Sequence, residues 1–219
     1  MDATIIWSQG NTTVWQFSLN PFYDELSYWR WRVLNASEFE KAEAYGNDRL
    51  RTEFIVRRCT LRKLLSSYVT CDAQKIEFQI GEFGKPSVVG YPIHFSTSTS
   101  KDLGLIAIST TQEVGVDIQA HEDSLSSPEF DFLTASESRA IQESEKGTEL
   151  FNRIWTRKEA SIKAIGQGLN FPIQTLDVLP DDTEHCWLEM PQPVSVCDLP
   201  ALTGYSAALA WHVQKKPAF

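Results

Sequence analysis

Cysteine and histidine are scarce in this chain and poorly placed for a zinc centre. The four cysteines (Cys59, Cys71, Cys186 and Cys197) form no CxxC pair, and the four histidines (His94, His121, His185 and His212) show no HExxH or HxxxH spacing. Zinc sites and dithiol redox centres need such spacings, so neither is expected, and the cysteines read as core or surface thiols rather than disulfides. Any metal bound here must be held by oxygen, which favours Mg²⁺ over zinc. No apolar run reaches the about 18 residues that cross a bilayer, so no membrane span is expected. The opening residues MDATIIWSQGNTT lack a basic stretch followed by an apolar core, so they do not read as a secretory signal, and the expected address is the cytoplasm. GxxxxGK[ST] is missing, which removes the P-loop nucleotide binders. Positive charge is also in deficit. Twenty Lys+Arg against 29 Asp+Glu leave a formal charge of −9, which is wrong for a general nucleic-acid binder.

What remains is an ordinary globular composition, 42% hydrophobic and 22% charged over 219 residues, enough for one large domain or two small lobes. VWQFSL (14–19) has the aromatic and β-branched content of a strand. Asn35 with Glu38 forms a capping box that starts a helix, and a second helix runs through 54–69, with Phe54, Leu61, Leu64, Leu65 and Val69 as its buried stripe. Gly- and Pro-broken strands follow over 75–100, then strands at 103–110 and 114–119. The second half replays this order: a capping box at Thr134 and Glu137, a helix, a second helical run WTRKEASIKAIGQGL (155–169), and strands at 176–179 and 205–213. Cap, helix, polar-flanked helix and sheet, occurring twice, point to a duplicated α+β unit, divided as 1–112 and 113–219.

Several residues could carry chemistry. On an extended VGVDIQ, Asp117 and Gln119 share one face, with Gly115 leaving room beside them. Two oxygen donors with space in front suit a hard cation, although a lone Asp near a strand end is also a common cap or turn residue. In WTRKEASIK, Trp155, Glu159 and Lys163 fall at i, i+4 and i+8 on one helical face. An exposed Glu–Lys pair would explain that spacing, but the apolar neighbours make the helix a buried one, where both charges need partners. GKP (84–86) puts Lys85 in a turn set by Pro86. FSTSTS (95–100) places Ser96, Ser98 and Ser100 on one side of an extended segment and Thr97 and Thr99 on the other. Arg49, Arg51, Arg57, Arg58, Arg62 and Lys63 form a basic island on an acidic chain, which suits a compact anionic ligand or a solvated helix face equally well.

Taken in order, GKP, FSTSTS, VGVDIQ and WTRKEASIK resemble the motifs of the two-lobed, surfactin-synthetase-activating type of 4′-phosphopantetheinyl transferase: GKP, F-N-x-S-H-S, (V/I)-G-(V/I)-D-x-E and W-x-x-K-E-(A/S)-x-x-K. The resemblance runs from about Leu34 to Val178. It implies a pseudo-dimer of two similar α/β lobes with the active site in the cleft between them. The implied reaction is Mg²⁺-dependent transfer of phosphopantetheine from coenzyme A to a serine of an acyl or peptidyl carrier protein, by a monomer. The same resemblance implies Asp117, Gln119 and Glu159 as metal ligands and Glu159 and Lys163 as catalytic groups. Arg49, Arg58, Gly84, Lys85, Pro86, Ser98, Thr99, Lys158 and Lys163 become coenzyme contacts, and the carrier would dock on the segment after the KEASIK helix, through Leu169, Phe171 and Ile173. Two positions depart from the pattern: Gln119 stands in place of an acid, and Thr99 in place of a histidine. These departures keep a second reading open, a non-catalytic coenzyme A or carrier-binding module of the same fold.

Overall fold

The computed structural model describes residues 2–20, 23–121, 131–168, 171–179, 186–188, 193–200 and 202–213. The first half runs β1 (Ala3–Gln9), β2 (Thr12–Ser18), α1 (Tyr23–Val33), α2 (Ala36–Glu43), α3 (Asp48–Ser66), β3 (Phe78–Ile80), β4 (Pro86–Val88), β5 (His94–Ser100) and β6 (Leu103–Ser109). The second runs β7 (Val114–Ala120), α4 (Ala135–Glu143), α5 (Gly147–Ile165), β8 (Cys186–Leu188), β9 (Val194–Asp198) and β10 (Tyr205–His212). Three antiparallel sheets result, ordered β1-β2-β6-β5, β7-β10-β9-β8 and β3-β4. The expected division at 112/113 falls in the connection between β6 and β7.

Both capping boxes form. The Asn35 side chain accepts the Glu38 N–H at 2.9 Å and Glu38 accepts the Asn35 N–H at 3.3 Å. Thr134 and Glu137 make the same exchange at the start of α4, satisfying donors that a helix start leaves open. α3 packs on one face of the first sheet, where Val56, Leu61 and Leu65 meet Trp15, Ile106 and Ile108. α5 covers the second sheet in the same way, through Ile154, Ala160 and Ala164 against Val194, Val196 and Ala210. The remaining faces of the two sheets meet in a shared core of Val14, Leu105 and Ala107 with Val116, Ile118 and Leu209. Alternate residues of β6 thus belong to two cores, which explains its unbroken apolar run.

One expected strand does not form. Residues 176–179 are extended but unpaired in any sheet, because side chains take their main-chain groups. Lys158 donates to the Leu176 carbonyl, Glu137 accepts the Val178 N–H at 3.0 Å, and Arg157 donates to the Val178 carbonyl at 3.3 Å. β1, α1, β8 and β9 were not expected. β1 is a sheet edge with Ile5 turned to solvent, so it lacks the alternation that marks a half-buried strand.

Candidate active site

The site begins where α5 lies on β7. A Cβ on Gly115 would sit 1.9 Å from the Ala160 carbonyl oxygen and 2.4 Å from the Ala164 nitrogen, so only glycine lets helix backbone touch strand backbone. The room that Gly115 was expected to leave for a cation is filled by this helix, which corrects that reading. The close approach brings Lys163 over Asp117, the next residue on the same strand face. The Lys163 ammonium donates to Asp117 Oδ1 at 2.6 Å and to the Val116 carbonyl at 3.2 Å. Ser98 on β5 donates to the same Oδ1 at 2.6 Å, and the Gln119 amide donates to Oδ2 at 3.1 Å. Asp117 is only 2% exposed. One turn before Lys163, Glu159 has its proton affinity raised, first by burial and then by the negative charge of Asp117, with Lys163 opposing. Gly115→Ala is expected to lower the melting temperature and the activity together, because the methyl group must push α5 off β7; an overpacked contact of this kind costs about 1–3 kcal/mol or more. A thermal melt at wild-type temperature would refute the packing argument.

Glu159 and Lys163 open onto a cleft of about 300 Å³, whose opposite wall is Gly84, Lys85, Pro86, Phe95 and Thr97 from the first half. Lys85 ties the two halves together. Its ammonium donates to the carbonyls of Val114 (3.1 Å) and Ala164 (3.0 Å) and pairs with Glu113 at 2.6 Å. Glu113 also accepts from or shares a proton with His94 at 2.8 Å. Burial alone would raise the Glu113 carboxyl, but His94 and Lys85 outweigh it and hold the group down to about 2.

Residues 113–215 match the 4′-phosphopantetheinyl transferase superfamily. The Synechocystis sp. protein slr0495, named for that activity, is 32% identical over 200 residues, which cover 82% of this chain and 79% of that protein. The chain belongs to the 4′-phosphopantetheinyl transferase superfamily. Further relatives are the Nostoc sp. transferase HetI, 26% identical over 176 residues (76% of this chain, 73% of that one), and Bacillus subtilis Sfp, 26% identical over 140 residues (63% and 62%). The enzyme class is therefore that of a phosphopantetheinyl transferase. Asp117, Gln119, Glu159 and Lys163 all lie inside the matched stretch.

Within this transferase, several residues sit elsewhere than their motifs imply. Lys158 does not reach the cleft. It is fully buried, paired with equally buried Glu137 at 2.8 Å, and donates to the Ile173 carbonyl at 3.1 Å and to that of Leu176. Arg58 pairs with Glu38 at 3.2 Å and lies over the Phe78 ring, while Arg49 pairs with Glu53 at 2.8 Å beside a separate groove with Lys101 and Asp102. Neither lines the cleft. Lys85 lines it with its stem, but its three N–H donors are spent on the partners given above. Ser98 turns to Asp117 rather than into the cleft. Thr99 is half-buried on the same face of β5 as the cleft-lining Thr97, without lining the cleft itself. Gln119 presents its NH₂ to Asp117.

The expected docking strip after α5 is also revised. Ile173 is buried in a 3-10 turn, and Phe171 packs against the second-half core, so the segment is not an extended apolar strip; Leu169 lies outside the described residues. What sequence reasoning passed over is the Lys85–Glu113–His94 tie, since nothing in the sequence pattern around Glu113 or His94 marks them. The role of Lys158 did leave a signal. Arg62, fully buried, pairs with the cap acid Glu38 at 2.6 Å and donates to the Ala73 and Ile76 carbonyls. Lys158 does the same for Glu137 in the second half, so each capping acid has a buried cation as its partner, although the sequence spacing matched Lys158 to Arg58 rather than to Arg62.

Proposed function

We propose that this chain transfers the 4′-phosphopantetheine arm of coenzyme A to a serine hydroxyl of an acyl or peptidyl carrier protein, in a Mg²⁺-dependent reaction that releases 3′,5′-adenosine bisphosphate. The observation that carries the reading is that Glu159 and Lys163 from α5 line the cleft directly over the buried carboxylate of Asp117 from β7. The residues fit a hard divalent cation: two carboxylates, both oxygen donors, stand near enough for the charge of Asp117 to raise the proton affinity of Glu159, while Gln119 turns its NH₂ rather than its oxygen to Asp117. Mg²⁺ bound there would offset charge building on the pyrophosphate oxygens as the leaving group departs.

The chain's own groups do the rest. The attacking hydroxyl must lose a proton, and Glu159, its proton affinity raised by burial and by the charge of Asp117, accepts it directly or through one water. Lys163 holds a fixed positive charge beside the same oxygens, and its contacts to Asp117 and the Val116 carbonyl leave one N–H for a phosphate. Ile162 and Phe95 supply an apolar lining that limits water beside the reacting groups. In this reading the two halves are the lobes of a pseudo-dimer. Residues 1–112 seat the nucleotide end against Gly84, Pro86 and Thr97, and residues 113–219 supply the metal-binding and catalytic groups. Among the described residues no helix is long and apolar enough to cross a membrane. The free thiols of Cys59 and Cys71 suit a reducing cytoplasm.

The test is mass spectrometry of several apo-carrier proteins incubated with the enzyme, Mg²⁺ and coenzyme A. At least one carrier should gain the mass of one phosphopantetheine arm on its serine. Coenzyme A binding with no mass gain on any fatty-acid, polyketide or peptide carrier would overturn the reading.

A further inference from the structure

β5 and β7 are outer strands of different sheets and lie side by side. Alternate serines of β5 reach across the gap. Ser96 Oγ accepts the Val116 N–H at 3.1 Å, and Ser100 Oγ accepts the Ala120 N–H at 2.9 Å. These two contacts do the work of an inter-strand ladder. The middle serine breaks the series: Ser98 is buried like Ser96 but acts as donor, giving its hydroxyl hydrogen to Asp117 Oδ1 at 2.6 Å.

Asp117 therefore receives three hydrogen bonds, from Ser98 and Lys163 on Oδ1 and from Gln119 on Oδ2. A carboxylate offers about four lone-pair directions, so these contacts leave it one direction in which to bind anything else. Lys163 and Gln119 belong to the second half, as Asp117 does. Ser98 alone comes from the first half, on the strand whose next-but-one neighbours Ser96 and Ser100 hold the two sheets in register.

We propose that Ser98 is a positioning residue for the transfer reaction: its hydroxyl fixes the rotamer of Asp117 from across the boundary between the two sheets, so that the carboxylate holds its unfilled lone pair in one orientation beside Lys163 only when both halves are in place. This rests on reading Asp117 as the metal-binding carboxylate, and it replaces the coenzyme contact that the motif implied for Ser98. Partners that orient a ligating carboxylate typically change metal affinity or activity by about ten- to a hundredfold.

The experiment compares Ser98→Ala with Ser96→Ala and Ser100→Ala, and uses Asp117→Asn as a control on the site. Ser98→Ala is expected to lower kcat by about ten- to a hundredfold and to weaken Mn²⁺ binding, read by electron paramagnetic resonance in the presence of 3′,5′-adenosine bisphosphate. Its melting temperature and its metal-free Kd for coenzyme A should stay near wild type. Ser98→Thr, which keeps the hydroxyl on a strand that tolerates β-branching, should restore kcat. Ser96→Ala and Ser100→Ala should each lower the melting temperature, and Ser100→Ala, which lies outside the cleft that Ser96 helps line, should leave Mn²⁺ affinity unchanged. An inactive Asp117→Asn beside a Ser98→Ala variant of normal kcat and Mn²⁺ affinity would overturn the proposal. So would a Ser98→Ala variant that loses metal-free coenzyme A affinity, because Ser98 would then be a ligand contact. A fully active Asp117→Asn would sink the reading of the site itself, and the proposal with it.

Discussion

Glu159→Gln and Asp117→Asn should each cut carrier modification by at least about a hundred- to a thousandfold, the cost of removing a group that meets charge in the transition state. Both changes keep the side-chain size; Asp117→Asn also turns an NH₂ toward the Gln119 amide, which can flip to accept from it, so melting temperatures should stay within a few degrees of wild type. Asp117 has more to lose structurally, because Lys163 then faces an amide instead of its counter-ion, but Lys163 is partly exposed and water can take over. Chelator should silence the wild type, and added Mg²⁺ should restore it. Full transfer in excess chelator would remove the metal from the mechanism, and wild-type turnover by either variant would remove that residue.

Lys158→Ala should do the opposite, unfolding the protein more than it impairs chemistry. Lys158 and Glu137 are both fully buried and 2.8 Å apart. Burial pushes the Lys158 ammonium below its ordinary range, against the pull of Glu137, so the charge persists there only because of its partners. Removing one member of such a pair strands the other, at about 3–5 kcal/mol, or roughly 6–20 °C in melting temperature for a chain of this size. The Glu137→Leu/Lys158→Met double variant should recover much of that loss, since both charges leave together. Near-normal kcat in whatever fraction remains folded is expected. A stable Lys158→Ala protein with a raised KM for coenzyme A would reinstate Lys158 as a phosphate contact.

The contrast between Lys158 and Lys163 shows what a linear motif can and cannot say. Both are lysines of WTRKEASIK, and both were assigned to phosphate. Five positions apart on an α-helix they point roughly 140° apart, so one cleft cannot receive both. Periodicity alone establishes that one of them faces away, but not which. Gly115 makes the choice: by admitting the backbone of Ala160 and Ala164, it turns the Glu159–Lys163 face toward Asp117 and sends Lys158 inward to Glu137.

Local elements were legible for a similar reason. Asn35 and Thr134 cap helices because their side chains satisfy N–H groups three residues away, an interaction complete within the segment. β6 and β7 declared themselves through side-chain pattern. The strand expected at 176–179 failed because its main-chain groups are claimed by Lys158, Arg157 and Glu137, partners distant in sequence. Arg49 and Arg58 lie away from the cleft, paired with the nearby acids Glu53 and Glu38.

The amino-acid sequence by itself determined the two capped helical units, the strand bearing Asp117 and the helix face bearing Glu159 and Lys163, because each depends on spacings shorter than a few turns of helix. Only the tertiary structure decided which cations reach the cleft, that Lys85 ties the halves through Val114, Ala164 and Glu113, and that Ser98 meets Asp117. Those contacts join residues from different sheets, and a buried charge goes wherever it finds enough hydrogen-bonding partners in three dimensions. Sequence order does not record that choice.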